Sequence, residues 1–399
     1  MKKNIFILFC LVFFSCQQSK KGTVVVWNNE GAETFVIDAV NKKSNQTTDL
    51  NDYIESCRVV PLETRRDALV NKIEKVIVAN NKVYLQCDRD KILIFEADTG
   101  KFINKIHAVG QGPEEYTEIT DFAIEKRTNN ICTYDERKHK VIKYTADGRF
   151  INAVRTKFHG LNIYSVNDSI YAVYDDNNIL TSEKSDLLLV NNDFSKLEEL
   201  YFPHQERFYN RAPEKSNYSK HHYFNTYDDR TYITPSIYHY TYEIIGTKLK
   251  PKYNFDFGDK NIEPTDDIFF TEDLVDSGKV FGVNYYENSR TLFVEYGLNM
   301  TRNILYIDKE TKNQVFMLGK DWKNMPLLYF LFTDKVVRAV NEDEDTFMAI
   351  VSFAEDDFIK NNEHFLNATD SLYLPEIDKL RKVKSDDNPV LIFFRMKKF

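Results

Sequence analysis

Asp98-Thr99-Gly100-Lys101-Phe102-Ile103-Asn104 returns as Ala146-Asp147-Gly148-Arg149-Phe150-Ile151-Asn152, with Phe102 and Phe150 48 residues apart. Each copy follows an apolar run, Ile92-Leu93-Ile94-Phe95 in the first and Val141-Ile142-Lys143-Tyr144 in the second. Gly between two strand-like runs supplies the positive φ of a tight turn, so both copies read as hairpins. Fainter copies follow. Leu187-Leu188-Leu189-Val190 passes through Asn191-Asn192-Asp193 into 197–202, and 240–245 turns at Gly246-Thr247 into Tyr253-Asn254-Phe255. Asn303 to Ile307 turns through 308–313 into Gln314-Val315-Phe316. The five turns near Asp98, Asp147, Asp193, Gly246 and Glu310 are spaced 49, 46, 53 and 64 residues apart, the last interval stretched by an acidic insertion around 263–278. Four-stranded propeller blades repeat every ~40–50 residues, whereas a β-sandwich has no need of similar hairpins at that interval.

The two ends supply the missing unit. Pro389-Val390-Leu391-Ile392-Phe393-Phe394 is a strand with no downstream partner, and Cys57-Arg58-Val59-Val60-Pro61-Leu62 is one with no upstream partner. Pairing them removes two exposed edges and closes a ring. The sequence thus predicts an all-β, six-bladed β-propeller over 51–399, closed by an N-terminal strand in the C-terminal blade. A small helical insertion is expected over about 356–384, with Leu380 one turn from Glu376.

Composition agrees. Phe (30) and Tyr (24) are abundant among 399 residues and Gly (13) is scarce, which favours strands over a helical bundle. With 61 acidic side chains against 53 basic ones the net charge is −8, unlike the basic face of a nucleic-acid binder, so no nucleic-acid partner is expected.

Met1-Lys2-Lys3-Asn4 and the apolar run Ile5 to Phe14 form a basic start and a core too short to span a bilayer. Residues 1–15 read as a secretory signal peptide, with the small Ser15 before Cys16 marking a lipoprotein processing site; Cys10 follows the bulky Phe9 and suits less well. Lipidated Cys16 would tether the chain to a membrane, and 16–50 would be tether and lead-in. Cys57, Cys87 and Cys132 show no C-x-x-C spacing and sit in apolar settings, so they read as buried thiols.

Val59-Val60-Pro61-Leu62-Glu63-Thr64, Gly110-Gln111-Gly112-Pro113-Glu114-Glu115-Tyr116 and Asp387-Asn388-Pro389-Val390-Leu391 resemble the six-bladed β-propeller lipoproteins of Gram-negative bacteria, which are similar to NHL-repeat propellers. The resemblance implies fold and envelope location, and carries no catalytic residue. In such lipoproteins an acidic run after the Cys accompanies display on the cell surface. Lys20-Lys21 stands there instead, which points to the outer membrane's periplasmic face.

No H-E-x-x-H, G-x-S-x-G, Walker or EF-hand sequence occurs. Gly110 to Tyr116 reads as a blade crossover; a functional reading would put Gln111, Glu114, Glu115 and Tyr116 on a ligand-facing rim. His204, His221, His222 and His239, with Arg207, Arg211 and Tyr223 nearby, either form a long polar loop or face a central channel, where they could bind a divalent metal. Tyr223, Tyr227, Tyr232, Tyr238, Tyr240 and Tyr242 could stack on sugars, although alternation along a strand is also what core packing produces. Glu342-Asp343-Glu344-Asp345 reads as a solvated turn rather than a calcium loop. Two functions follow as expectations. The first is a non-catalytic envelope module binding a glycan, peptide or protein over the propeller face, with no cofactor. The other is a metal-assisted hydrolase or lyase working in the channel.

Overall fold

The computed structural model describes residues 23–25, 29–38, 53–175, 178, 183–209, 211, 222–299, 301–317, 337–339, 345–352 and 374–399. Their strands form six sheets, each a propeller blade. After two short leading strands, β1 (Thr23–Val25) and β2 (Glu33–Val36), comes β3 (Ile54–Pro61). Blade 1 holds β4 (Ile73–Ala79), β5 (Lys82–Cys87), β6 (Lys91–Glu96) and β7 (Phe102–Ile106). Blade 2 holds β8 (Asp121–Ile124), β9 (Ile131–Asp135), β10 (Lys140–Tyr144) and β11 (Phe150–Arg155). Blade 3 follows with β12 (Asn162–Ser165), β13 (Ile170–Tyr174), β14 (Ser185–Asn191) and β15 (Leu197–Pro203). In blade 4 the strands are β16 (Phe224–Tyr227), β17 (Arg230–Ile233), β18 (Tyr240–Ile245) and β19 (Lys248–Asp256). Blade 5 has β20 (Phe281–Glu287), β21 (Thr291–Leu298), β22 (Thr301–Asp308) and β23 (Gln314–Met317). Blade 6 combines β24 (Val337–Ala339), β25 (Thr346–Val351) and β26 (Val390–Met396) with β3 as its outer strand.

The five hairpins read from the repeat are the outer strand pairs of blades 1 to 5, and the closing pair is β26 with β3, antiparallel from Val390↔Pro61 to Met396↔Ile54. Gly100, at φ 71°, turns blade 1's outer hairpin directly against that closing strand: a Cβ there would lie 2.1 Å from the Pro61 carbonyl oxygen. Only Gly fits.

Near-continuous apolar runs are explained by burial on both faces. Successive side chains of a strand point to opposite sides, so each blade feeds the two interfaces that flank it. Val83, Leu85, Leu93 and Phe95 pack toward blade 6, while Tyr84, Ile92 and Ile94 pack toward blade 2. At the seam, Leu391 and Phe393 face blade 1, and Ile392 and Phe394 face blade 5. Cys87 and Cys132 are buried free thiols pushed up to about 12 by desolvation.

One feature departs from the sequence reading. The lead-in is more than a tether: β1 adds a fifth, parallel strand outside β15, and β2 does the same outside β19. Of the insertion read over 356–384, helix α2 (Leu374–Leu380) and the following turn are described, and 356–373 lie outside the described residues. Earlier in the chain α1 (Thr271–Ser277) occupies the acidic insertion between blades 4 and 5. Helix α2 covers the ring's closing edge. Glu376 Oε2 accepts the Val59 N–H at 2.5 Å and Lys379 Nζ donates to the Val59 carbonyl at 3.2 Å, so side chains satisfy the Val59 backbone groups on the outer edge of β3.

Candidate functional site

In blades 1 to 5 the connections between first and second strands, and between third and fourth, lie on one face of the ring, here the turn face. The opposite, crossover face carries the middle hairpins and the links from each outer strand to the next blade. Gln111, Glu115, Tyr116, His204, Arg207, Arg211, His222 and His239 all fall in connections of the crossover face. His221, Cys16 and 342–344 lie outside the described residues.

The axis comes first, because a channel site was one of the two expectations. Inner strands present backbone edges to it. Lys75 Nζ, on β4, donates to Asp121 Oδ2 at 2.8 Å and to the carbonyls of Phe122 (2.8 Å) and Ile163 (3.3 Å). Asp121 Oδ2 also accepts the Ile163 N–H at 2.8 Å. One buried ion pair therefore joins the inner strands of blades 1, 2 and 3. At the turn-face end a recess of about 230 Å³ lies among the inner strands of blades 1 to 4. Lys126 donates there to the Asp229 carbonyl, Tyr164 bonds to Thr226, and Asn80 donates to Asn129. Along these blades the protein's own side chains occupy the axial polar groups. Among the described residues no three His, Cys, Asp or Glu side chains gather as a metal-sized group.

The Gly110–Tyr116 segment is held as a connector. Lys140 Nζ donates to the carbonyls of Gly112 (3.3 Å), Glu115 (2.9 Å) and Pro113, and Lys138 Nζ to that of Gly110 at 2.8 Å. Glu115 turns inward to accept the Gly112 N–H at 2.7 Å, and a Cβ on Gly110 would meet its carboxylate at 1.9 Å. Tyr116 is fully buried, its hydroxyl donating to the Asp90 carbonyl and accepting from the Ala108 N–H. Gln111 and Glu114 are exposed, and of the four candidates in this loop they alone face solvent.

The His/Arg group separates in the same way. His204 is buried, with Nε2 2.8 Å from Asp186 Oδ1. Arg207 donates to the carbonyls of Pro264, Thr265 and Asp266, and Arg211 pairs with Asp267 at 3.0 Å and with Asp273. Both arginines thus clamp the link between blades 3 and 4 onto the link between blades 4 and 5. His239 is buried against the Tyr240 ring, 4.2 Å between centroids; desolvation holds its pKa down at about 4, against the attraction of Asp256. His222 is half-buried near Tyr286. No common metal site forms from the described members.

Nor do the tyrosines make a sugar platform. Tyr223 stacks on Tyr174 at 4.3 Å, and with Tyr242 it belongs to the core between blades 3 and 4. Tyr232 is buried between blades 4 and 5 with the Lys252 ammonium 3.9 Å over its ring.

What the sequence did not expose is a second small core on the crossover face. Phe208, Ile237, Ile262, Phe269, Phe270 and Leu274 pack together above blades 4 and 5, with Phe208 and Phe269 stacked at 4.7 Å. It joins two interblade links and a hairpin of blade 4. A signal existed in Ile268-Phe269-Phe270, apolar residues inside an acidic insertion. A recurring Asp was legible as well: Tyr84 to Asp88, 131–135 and 171–175 each end a second strand in Asp. Asp88 accepts the Lys72 N–H and Asp135 the Thr117 N–H, each fixing the chain as it enters its own blade. A recess of about 560 Å³ lies on the turn face at the blade 6–blade 1 seam, beside Arg58, Asn81, Asp98, Phe393 and Arg395. Arg58 there stacks on Phe393 and pairs with Asp98.

Comparison with known proteins matches this architecture. The chain is similar to a candidate exported protein of Bacteroides fragilis NCTC 9343, at 17% identity and a TM-score of 0.71, covering 94% of this chain and 100% of that one. It is also similar to a member of the duf4221 family from Bacteroides vulgatus ATCC 8482, at 8% identity and a TM-score of 0.50, covering 87% and 98% respectively. At such identities the likeness is one of fold. No curated protein matches the chain. A family model described as a domain of unknown function, DUF4934, matches residues 32–395, a span that includes all six blades and the second leading strand. The chain belongs to the DUF4934 family.

Proposed function

We propose that this protein is an exported lipoprotein, anchored through Cys16 in the Gram-negative envelope on the periplasmic side of the outer membrane, that binds a glycan, peptide or protein across its crossover face. The observation that carries the reading is the second small core on that face, around Phe208, Phe269 and Leu274. Long links with their own packing on a rigid ring are where binding surfaces are built. Buried small-molecule chemistry is less well served. The axial recess is small and crossed by internal hydrogen bonds, and the four site candidates with the most polar chemistry, His204, Arg207, Arg211 and His239, are consumed in packing or loop clamps. Export is supported by the leading segment's basic start and short apolar run, and by the similarity to a candidate exported protein.

Glycan and peptide arrays test the reading directly. A hit should be lost in Val275→Glu, which places charge on the exposed side of α1, and kept in Ile245→Glu on the turn face. Loss in both, or in neither, counts against a crossover-face site. Metal analysis of the purified chain tests the alternative: one divalent ion per chain, held through His or carboxylate side chains, would replace the binding module with the channel hydrolase or lyase.

A further inference from the structure

The same repeat position closes the seam between blades 1 and 2 and leaves a gap between blades 2 and 3. Asn104 and Asn152 end the two copies of the hairpin motif, and each lies opposite the third strand of its blade, at Ile94 and Lys143 respectively. Asn104 Nδ2 donates to the Asp147 carbonyl at 2.7 Å and so ties blade 1 to the outer turn of blade 2. Among the described residues the Asn152 amide makes no such bond to blade 3. It lines a recess of about 280 Å³ on the turn face between the two blades.

Three more amides line that recess, Asn130 from blade 2 and Asn167 and Asn192 from blade 3. Each is fixed at one end. Asn130 Nδ2 donates to Glu125 Oε2 at 3.0 Å and Asn192 Nδ2 to the Asp168 carbonyl at 3.0 Å, while Asn167 Oδ1 accepts the Ser169 and Ile170 N–H groups at 2.8 and 3.0 Å. Their other ends, Asn130 Oδ1, Asn192 Oδ1 and Asn167 Nδ2, bond to nothing among the described residues. The charges in the lining are settled internally: Lys143 Nζ donates to Glu125 Oε1 at 2.7 Å, and Arg127 Nε to Asp168 Oδ2 at 2.6 Å. Two cations and two anions leave no net charge to attract an ionic ligand. What remains on offer is amide donors and acceptors side by side, which suit hydroxyl groups, each of them both donor and acceptor. Ile151, 42% exposed, adds an apolar wall for the C–H face of a ring. Amides already held at one end lose little freedom when a ligand takes the other.

We propose that this recess binds one neutral sugar residue through Asn130, Asn152, Asn167 and Asn192. The site stands apart from the crossover-face reading, since it lies on the opposite face of the ring. Saturation-transfer NMR on the purified chain tests it with glucose, galactose, mannose and N-acetylglucosamine, and with glucuronic acid and glucosamine as charged counterparts. At least one neutral sugar should bind with a dissociation constant of about 1 mM. Asn152→Arg, at an exposed position of an outer strand, should weaken it at least about tenfold, and Asn152→Asp, which changes charge with little change in size, should weaken it as well. Ile103→Ala, the equivalent of Ile151 in blade 1 and outside the recess, should leave binding unchanged. No transfer to any of the four neutral sugars overturns the inference. So does binding that survives Asn152→Arg, or a charged sugar that binds about tenfold more tightly than the neutral ones. A sugar retained by Val275→Glu and lost in Asn152→Arg sits in this recess even if the crossover face binds nothing, and the reverse pattern rejects the recess and leaves the crossover face standing.

Discussion

Replacing Lys75 with methionine removes a cation that ties three inner strands together at the axis. Its ammonium donates to the Asp121 carboxylate and to two backbone carbonyls, and the two side chains are only 15% and 5% exposed. Methionine fills similar space and supplies no donor. Asp121 then keeps the Ile163 N–H and loses its counter-charge, while the carbonyls of Phe122 and Ile163 lose a donor. Removing one partner of a buried pair costs about 3–5 kcal/mol, against about 0–1 kcal/mol for an exposed one. We expect Lys75→Met to lower unfolding free energy by about 3 kcal/mol. The double variant Lys75→Met/Asp121→Asn should lose less than the sum of the single losses, with a coupling of about 1–3 kcal/mol. Urea titrations followed by far-UV circular dichroism and by fluorescence measure both, with an unchanged m-value showing that stability alone has moved. A loss under about 1 kcal/mol for Lys75→Met would refute the reasoning, since it would mean that water solvates this pair and the axis is not a closed polar joint.

Glu376→Ala should cost about 1.5–3 kcal/mol by removing a charged acceptor from the Val59 N–H. The same change should speed reaction of Cys57 with a thiol reagent, because burial, with the Glu376 carboxylate beside it, is what pushes that thiol up to about 12. Gly100→Ala, forced into φ 71° and against the Pro61 carbonyl, should destabilise the closing seam by about 1–3 kcal/mol, read as a lower melting temperature. Burial by itself would raise the Glu125 carboxyl, but hydrogen bonds from Lys143, Thr128 and Tyr171 outweigh it and hold the pKa at about 2 rather than 4.5. Its contribution is whole above pH 4.5 and lost as pH falls toward 2, so Glu125→Gln should flatten melting temperature across that window. Buried His239, at about 4 rather than 6.5, stays neutral while the unfolded chain takes up a proton; stability therefore falls from pH 6.5 to 4, and His239→Leu should remove that slope.

The hairpins at Asp98 and Asp147 could be read because a turn is a local event: Gly at positive φ and two apolar runs lie within a dozen residues. The union of 57–62 with 389–394 was also legible, since each end held an apolar strand that nothing nearby could pair. The clamps were not. Arg207 and Arg211 read either as part of a polar loop or as facing the channel, and their partners at Pro264 to Asp273 stand more than fifty positions away. Gly110 to Tyr116 was legible as a crossover, but not that Lys138 and Lys140 bind its carbonyls or that the Glu115 and Tyr116 side chains turn inward.

Sequence by itself determined the repeat, the count of six and the closing strand pair, because alternation and turn chemistry act over a few residues and an unpaired apolar edge demands a partner. Tertiary structure alone decided which polar groups are spent inside the ring and where the leading segment runs. Strands of three or four residues have too short a pattern of their own to read; Thr23–Val25 and Glu33–Val36 become strands only because the outer edges of blades 3 and 4 offer unpaired backbone groups to accept them.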